Sequence, residues 1–233
     1  MIKGLTEEEK FKVIRPIIGD CVYDENGFPV VKKTEIDAID WNSLKVRGLQ
    51  NASRKGYNAE TLLLMFNYDK RLLSLWNSPL KKVGLFQTFA AVSTPDFSVY
   101  PPMNINIIRY NVFMSRWLGR TWQNYGCTVL PTIGWALPDT YDLCFGGIER
   151  GSIVVISTLG CQEHKDVFLM GFNEMRKRID PPLIIVVGKM IEGMNGEFLN
   201  FRYEDTFDCK YEQMRLAGIN RIFSRKLPVY FKQ

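Results

Sequence analysis

The chain has 233 residues, with 30 Lys and Arg against 25 Asp and Glu for a net charge of +5; 46% of residues are hydrophobic and 24% charged. These proportions exclude an intrinsically disordered, collagenous or coiled-coil protein, and the length suffices to bury a core without disulfides or a structural metal. Five scattered cysteines (Cys21, Cys127, Cys144, Cys161, Cys209), an acidic opening without an apolar core and no run near the roughly 20 apolar residues of a membrane span lead us to expect a cytoplasmic protein that does not engage a membrane.

Residues 1–60 carry ten bases, ten acids and turn residues such as Asn26-Gly27, and read as an N-terminal arm. From Thr61 onward, through residue 233, short apolar runs alternate with segments of helical period, as an α/β domain requires. Strands are expected at 61–67, 89–93, 128–132, 152–158, 183–187 and 219–223. Helices are expected at 69–76, 104–125, 167–179 and near 210–217. The runs IVVIS and LIIVV are apolar throughout, which suits strands covered on both faces in a mostly parallel sheet. About six strands fit an open doubly wound sheet or an incomplete barrel.

Ligands in parallel α/β folds collect at the carboxyl ends of the strands. The residues expected there include Asp69 after the first strand, Ser93, Asp96 and Ser98 after the second, Trp135 after the third and Ser157 after the fourth. Asp96 is the only acid between Lys70 and Pro138. It reads either as a structural ion pair or turn cap, or as a functional carboxylate. In the long helix, Arg116 and Arg120 fall about 20° to either side of Arg109, so the three form one stripe amid apolar residues. That stripe is either a solvated face with snorkelling stems or an anion site, because guanidinium forks match phosphate and carboxylate.

Common catalytic patterns are missing. His164 is the single histidine, so any Ser-His-Asp or Cys-His mechanism would have to use it, and neither GxxxxGK[ST] nor GxGxxG occurs. Cys161 and His164 make one tight pair where structural zinc uses two, so no metal site is expected, and no motif names a cofactor.

The runs Thr94-Pro-Asp-Phe-Ser98, Arg116-Trp-Leu-Gly119, Pro131-Thr-Ile-Gly-Trp135, the stretch 151–160 (GSIVVISTLG) and Gly171-Phe-Asn-Glu-Met175 occur in an order that resembles the bacterial and phage family called domain of unknown function 4417. The resemblance spans roughly residues 60–225 and implies a protein of prophages, conjugative elements or bacterial genomes. It implies no activity. Three functions follow as expectations. The first is binding of an anionic ligand, either nucleic acid or a phosphorylated small molecule, at the strand ends through Arg109, Arg116, Arg120 and the polar residues there. The second is a hydrolase or transferase using Asp69 or Asp96. The third is a module that meets a protein partner such as a host factor.

Overall fold

Apolar runs too short for helices and rich in β-branched residues or leucine become strands. In the computed structural model, which describes residues 4–206 apart from 5, 18, 55 and 57, these are β1 (Lys45–Gly48), β2 (Thr61–Leu64), β3 (Ala91–Ser93), β4 (Val129–Leu130), β5 (Val154–Ser157), β6 (Ile184–Val187) and β7 (Phe198–Phe201). The helices are α1 (Glu7–Ile14), α2 (Asp69–Asn77), α3 (Val83–Phe86), α4 (Ile105–Asn124), α5 (Tyr141–Cys144) and α6 (Lys165–Ile179). The helix expected near 210–217, the strand at 219–223 and Cys209 lie outside the described residues.

Every strand ladder is parallel, in two sheets ordered β1-β2-β3-β4 and β5-β6-β7. Beyond β4 the chain forms a parallel bridge from Thr132 to Val155; the Ile133 N–H donates to the Val155 carbonyl and the Val155 N–H to the Pro131 carbonyl, both at 2.9 Å. Seven strands therefore follow one another in chain order across a single seam.

The period of two along each strand separates an inner core from two outer ones. Leu62, Leu64, Ala91, Leu130, Val155, Ile185 and Val187 join one cluster that contains no α-helical residue, closed over by Leu199, Phe201 and Tyr203. Their alternates face outward, Leu63, Val92 and Val129 onto α2 and α4, and Val154, Ile156, Ile184 and Val186 onto α6. An open doubly wound sheet would carry helices on both faces, so this arrangement is an incomplete barrel. β1 and β7 do not pair among the described residues, although the turn Tyr203–Thr206 after β7 packs against β1.

Among the described residues there are seven strands: five lie where the sequence pattern places them, the sixth expected strand falls outside these residues, and β1 and β7 are additions. Both are edges, so KVRG and FLNF carry polar residues instead of the continuous apolar run of a strand buried on both faces. β1 lies within the first sixty residues, and Arg15, Asp20 and Lys32, which precede it, are bonded to α4. The Trp117 indole donates to the Arg15 carbonyl at 2.7 Å, the Arg120 Nε to the Asp20 carbonyl at 3.0 Å, and the Gln123 amide bonds both main-chain groups of Lys32. Arg15 also lies 3.8 Å over the Trp76 ring. No helix among the described residues is long and apolar enough to cross a membrane.

The helix layer approaches the strands closely at Gly119 of α4, where a Cβ would stand 2.5 Å from the Thr94 methyl group. Gly119→Ala is therefore expected to destabilise by roughly 1–3 kcal/mol, the usual cost of overpacking. Thr94→Ser keeps the hydroxyl and removes that methyl. In urea unfolding the double variant should regain most of the loss, and additive losses would contradict the close approach.

Candidate active site at the carboxyl ends of the strands

The loop after β3 carries Thr94-Pro-Asp-Phe-Ser98 and is fastened by hydrogen bonds at Thr94, Asp96 and Ser98. The Thr94 Oγ1 accepts from the Thr132 N–H at 2.8 Å and from the Ser115 hydroxyl at 3.0 Å, and the Thr94 carbonyl accepts from the Thr132 hydroxyl at 2.7 Å. The Asp96 N–H donates to the Met65 carbonyl. The Ser98 N–H donates to Asp69 Oδ1 at 3.1 Å, and the Ser98 carbonyl accepts from the Asn111 amide at 2.7 Å. Asp69 opens α2 directly after β2, so its carboxylate joins the first helix of the mouth to the loop bearing Asp96.

Arg116 is linked to this loop through Thr132, which bonds both it and Thr94. It is 2% exposed, and its Nε, Nη1 and Nη2 donate to the carbonyls of Gly146, Thr132 and Cys144 at 2.9, 3.0 and 2.9 Å. Burial pulls its pKa down to about 10, which Cys144 and Asp24 partly offset, so it stays protonated at neutral pH. The carboxylate that supports Arg116 is thus Asp24 of the arm. A cavity of about 10 Å³ lies between Arg116 and Asp96, lined by Asn111, Ser115, Thr132 and Gly134.

Asp96 itself is half-buried, and among the described residues nothing hydrogen-bonds or ion-pairs with its carboxyl oxygens. Desolvation, followed by the charge of Asp69, pushes its pKa up to about 7. Two further groups share this neighbourhood. The Cys161 thiol is pushed up to about 11 by burial and then by Asp96, and the Tyr203 hydroxyl is raised by burial and then by Tyr68 and Asp96, with Arg71 opposing. The mouth therefore gathers Asp69, Asp96, Cys161 and Tyr203 from the ends of β2, β3, β5 and β7.

The other residues expected at the site have different surroundings. Ser93 is fully buried; its hydroxyl accepts from the Met65 N–H at 2.9 Å and belongs to the scaffold. Ser157 is half-buried at the mouth and accepts from the Leu159 N–H at 3.2 Å. Trp135 packs on α6, with its ring 5.0 Å from that of Phe168 and so near Gly171 that a Cβ there would fall 2.1 Å from the indole. The arginine stripe is not a solvated face: Arg116 and Arg120 turn inward onto main-chain carbonyls, and Arg109 alone of the three is exposed. No group of three or more His, Cys, Asp or Glu among the described residues is arranged to hold a metal ion. Sequence reasoning missed Cys161 and Tyr203 as neighbours of Asp96. Cys161 was legible as a residue just past an apolar strand, whereas Tyr203 follows a strand whose pattern was hidden.

Because the folded protein binds the Asp96 proton more tightly than the unfolded chain does, stability falls as pH rises from about 4 through about 7. Asp96→Asn removes that cost. Denaturation curves should show the variant more stable than the parent by roughly 2–4 kcal/mol at pH 8, with the gap closing near pH 4. A gap that does not change with pH would contradict the shifted carboxyl.

The model of the family described as Domain of unknown function (DUF4417) matches residues 28–204. The chain is 39% identical over 131 residues to the Gene 1 protein of Mycobacterium phage D29 and 38% identical over 131 residues to the Gene 1 protein of Mycobacterium phage L5, 55% of this chain in each case. It spans about half the length of these curated relatives, 48% and 57% respectively. No solved structure matches the chain.

Proposed function

For a chain that belongs to the DUF4417 family, with relatives in mycobacteriophages, we propose that the mouth of the incomplete barrel is an active site of a hydrolase or transferase in which Asp96 transfers a proton. The observation that carries this reading is the meeting of Asp69 and Asp96 at the carboxyl ends of β2 and β3, on a loop clamped by Asp69, Asn111, Ser115 and Thr132. Parallel barrels place their chemistry at this end. A proton donor or acceptor works best with a pKa near the operating pH, and burial beside a second carboxylate moves Asp96 that way. Asp69 has two roles in this account: it holds the Ser98 N–H and sets the field at Asp96. Anion capture by Arg116 and Arg120 is the weaker reading, because their guanidinium groups are bonded to the chain's own carbonyls.

The test is turnover of chromogenic phosphodiesters, phosphomonoesters, glycosides and carboxylic esters by the purified protein, with single-stranded oligonucleotides in the same panel. Asp96→Asn should lower any turnover by about 100-fold or more, the usual contribution of a general acid or base, and the parent's rate should inflect near pH 7. Turnover that survives Asp96→Asn, or none across the panel, would overturn the reading.

A further inference from the structure

Apart from Asp69, whose carboxylate accepts from the Ser98 N–H, the charged residues of α2 and of the first turns of α4 are all cations. Between Lys70 and Leu137 the only acid is Asp96, which is half-buried at the mouth. The exposed charged residues here are Lys70 and Arg71 on α2, Lys81 shortly after it and Arg109 on α4, all cations. None of the four pairs with an acid among the described residues. The surface around α6 is different: there Arg178 meets Asp142 and Glu174, and Arg150 meets Asp180.

Aromatic rings interleave with these cations. Tyr68, Tyr100 and Tyr110 are 62%, 56% and 48% exposed. Contacts tie these elements to one another and to the mouth. Tyr110 meets Trp76 of α2 edge-on with centroids 6.1 Å apart, Asp69 holds the loop that leads to Tyr100, and Tyr68 and Arg71 both act on Tyr203 beside Asp96.

Cations spaced over two helices match a chain of phosphates better than a single phosphate group, which would need them converged on one point. Exposed rings add what a duplex would not use, since its bases are stacked inside, whereas an unpaired strand stacks its bases on aromatic side chains. We propose that single-stranded nucleic acid docks along α2 and the start of α4, with phosphates on Lys70, Arg71 and Arg109 and bases on Tyr68 and Tyr110, and reaches Asp69 and Asp96 at the mouth. This names the substrate class of the active site proposed above and rests on that reading for its catalytic part.

Fluorescence anisotropy with a labelled oligothymidylate of about 20 nucleotides tests the proposal on the full chain. Lys70→Glu, Arg71→Glu and Arg109→Glu together should weaken binding at least 10-fold and flatten the log–log salt slope by about 2, at roughly 0.7 per phosphate contact. Tyr68→Ala with Tyr110→Ala should weaken it by roughly 10-fold, while Lys177→Glu on α6 should leave it unchanged. Circular dichroism melting checks that each variant folds. No binding at low salt, binding that both variant sets leave intact, or binding confined to phosphatidylserine vesicles would overturn the docking proposal. Asp96→Asn should retain binding. Strand binding without any Asp96-dependent turnover would sink the catalytic reading alone, and Asp96-dependent turnover of another substrate without strand binding would sink the docking alone.

Discussion

The buried guanidinium of Arg116 is the constraint around which the mouth of the barrel is arranged. A charge withdrawn from water is costly unless its donors are met. Here three main-chain carbonyls meet them, from Thr132 after β4 and from Cys144 and Gly146 at and beyond α5. One side chain of α4 thereby ties together segments that are distant in sequence. Thr94 extends the knot, since its hydroxyl and carbonyl join the end of β3 to Thr132 and Ser115. The runs TPDFS, RWLG and PTIGW thus come into one buried, hydrogen-bonded assembly, and Gly119 lets α4 lie close enough to complete it.

That assembly explains how an unfavourable group is tolerated beside it. Asp96 is half-buried next to Asp69 with no described partner for its oxygens, an arrangement that lowers stability at neutral pH. A loop free to move would turn the carboxylate out to water. Bonds from Met65, Asp69, Asn111, Ser115 and Thr132 prevent that. Strain of this kind, held in place by an over-determined scaffold, is characteristic of functional sites.

The inner strands were legible in the sequence because burial on both faces writes an unbroken apolar run, as in IVVIS and LIIVV. β1 and β7 were not, because an edge strand has one open flank and admits Arg47 or Asn200. Incomplete barrel and open sheet could not be separated by pattern, since both need apolar strands; an inner cluster without any α-helical residue decides it. Asp69, Asp96 and Ser98 could be placed at the strand ends because position after a strand fixes the end of the barrel. The arginine stripe was legible as geometry, but its role was not. A helical wheel shows which side chains share a face, and nothing in it reveals that the N-terminal arm and the segment 144–146 cover that face.

The central claim is that the folded scaffold holds one carboxyl group in a state ordinary aspartates do not reach. Carbon-detected NMR titration of protein labelled at the aspartate carboxyl carbons measures this directly. The account predicts one resonance with a midpoint near pH 7 that disappears in Asp96→Asn. A spectrum in which every aspartate titrates below about pH 5, within the usual range of such groups, would contradict it.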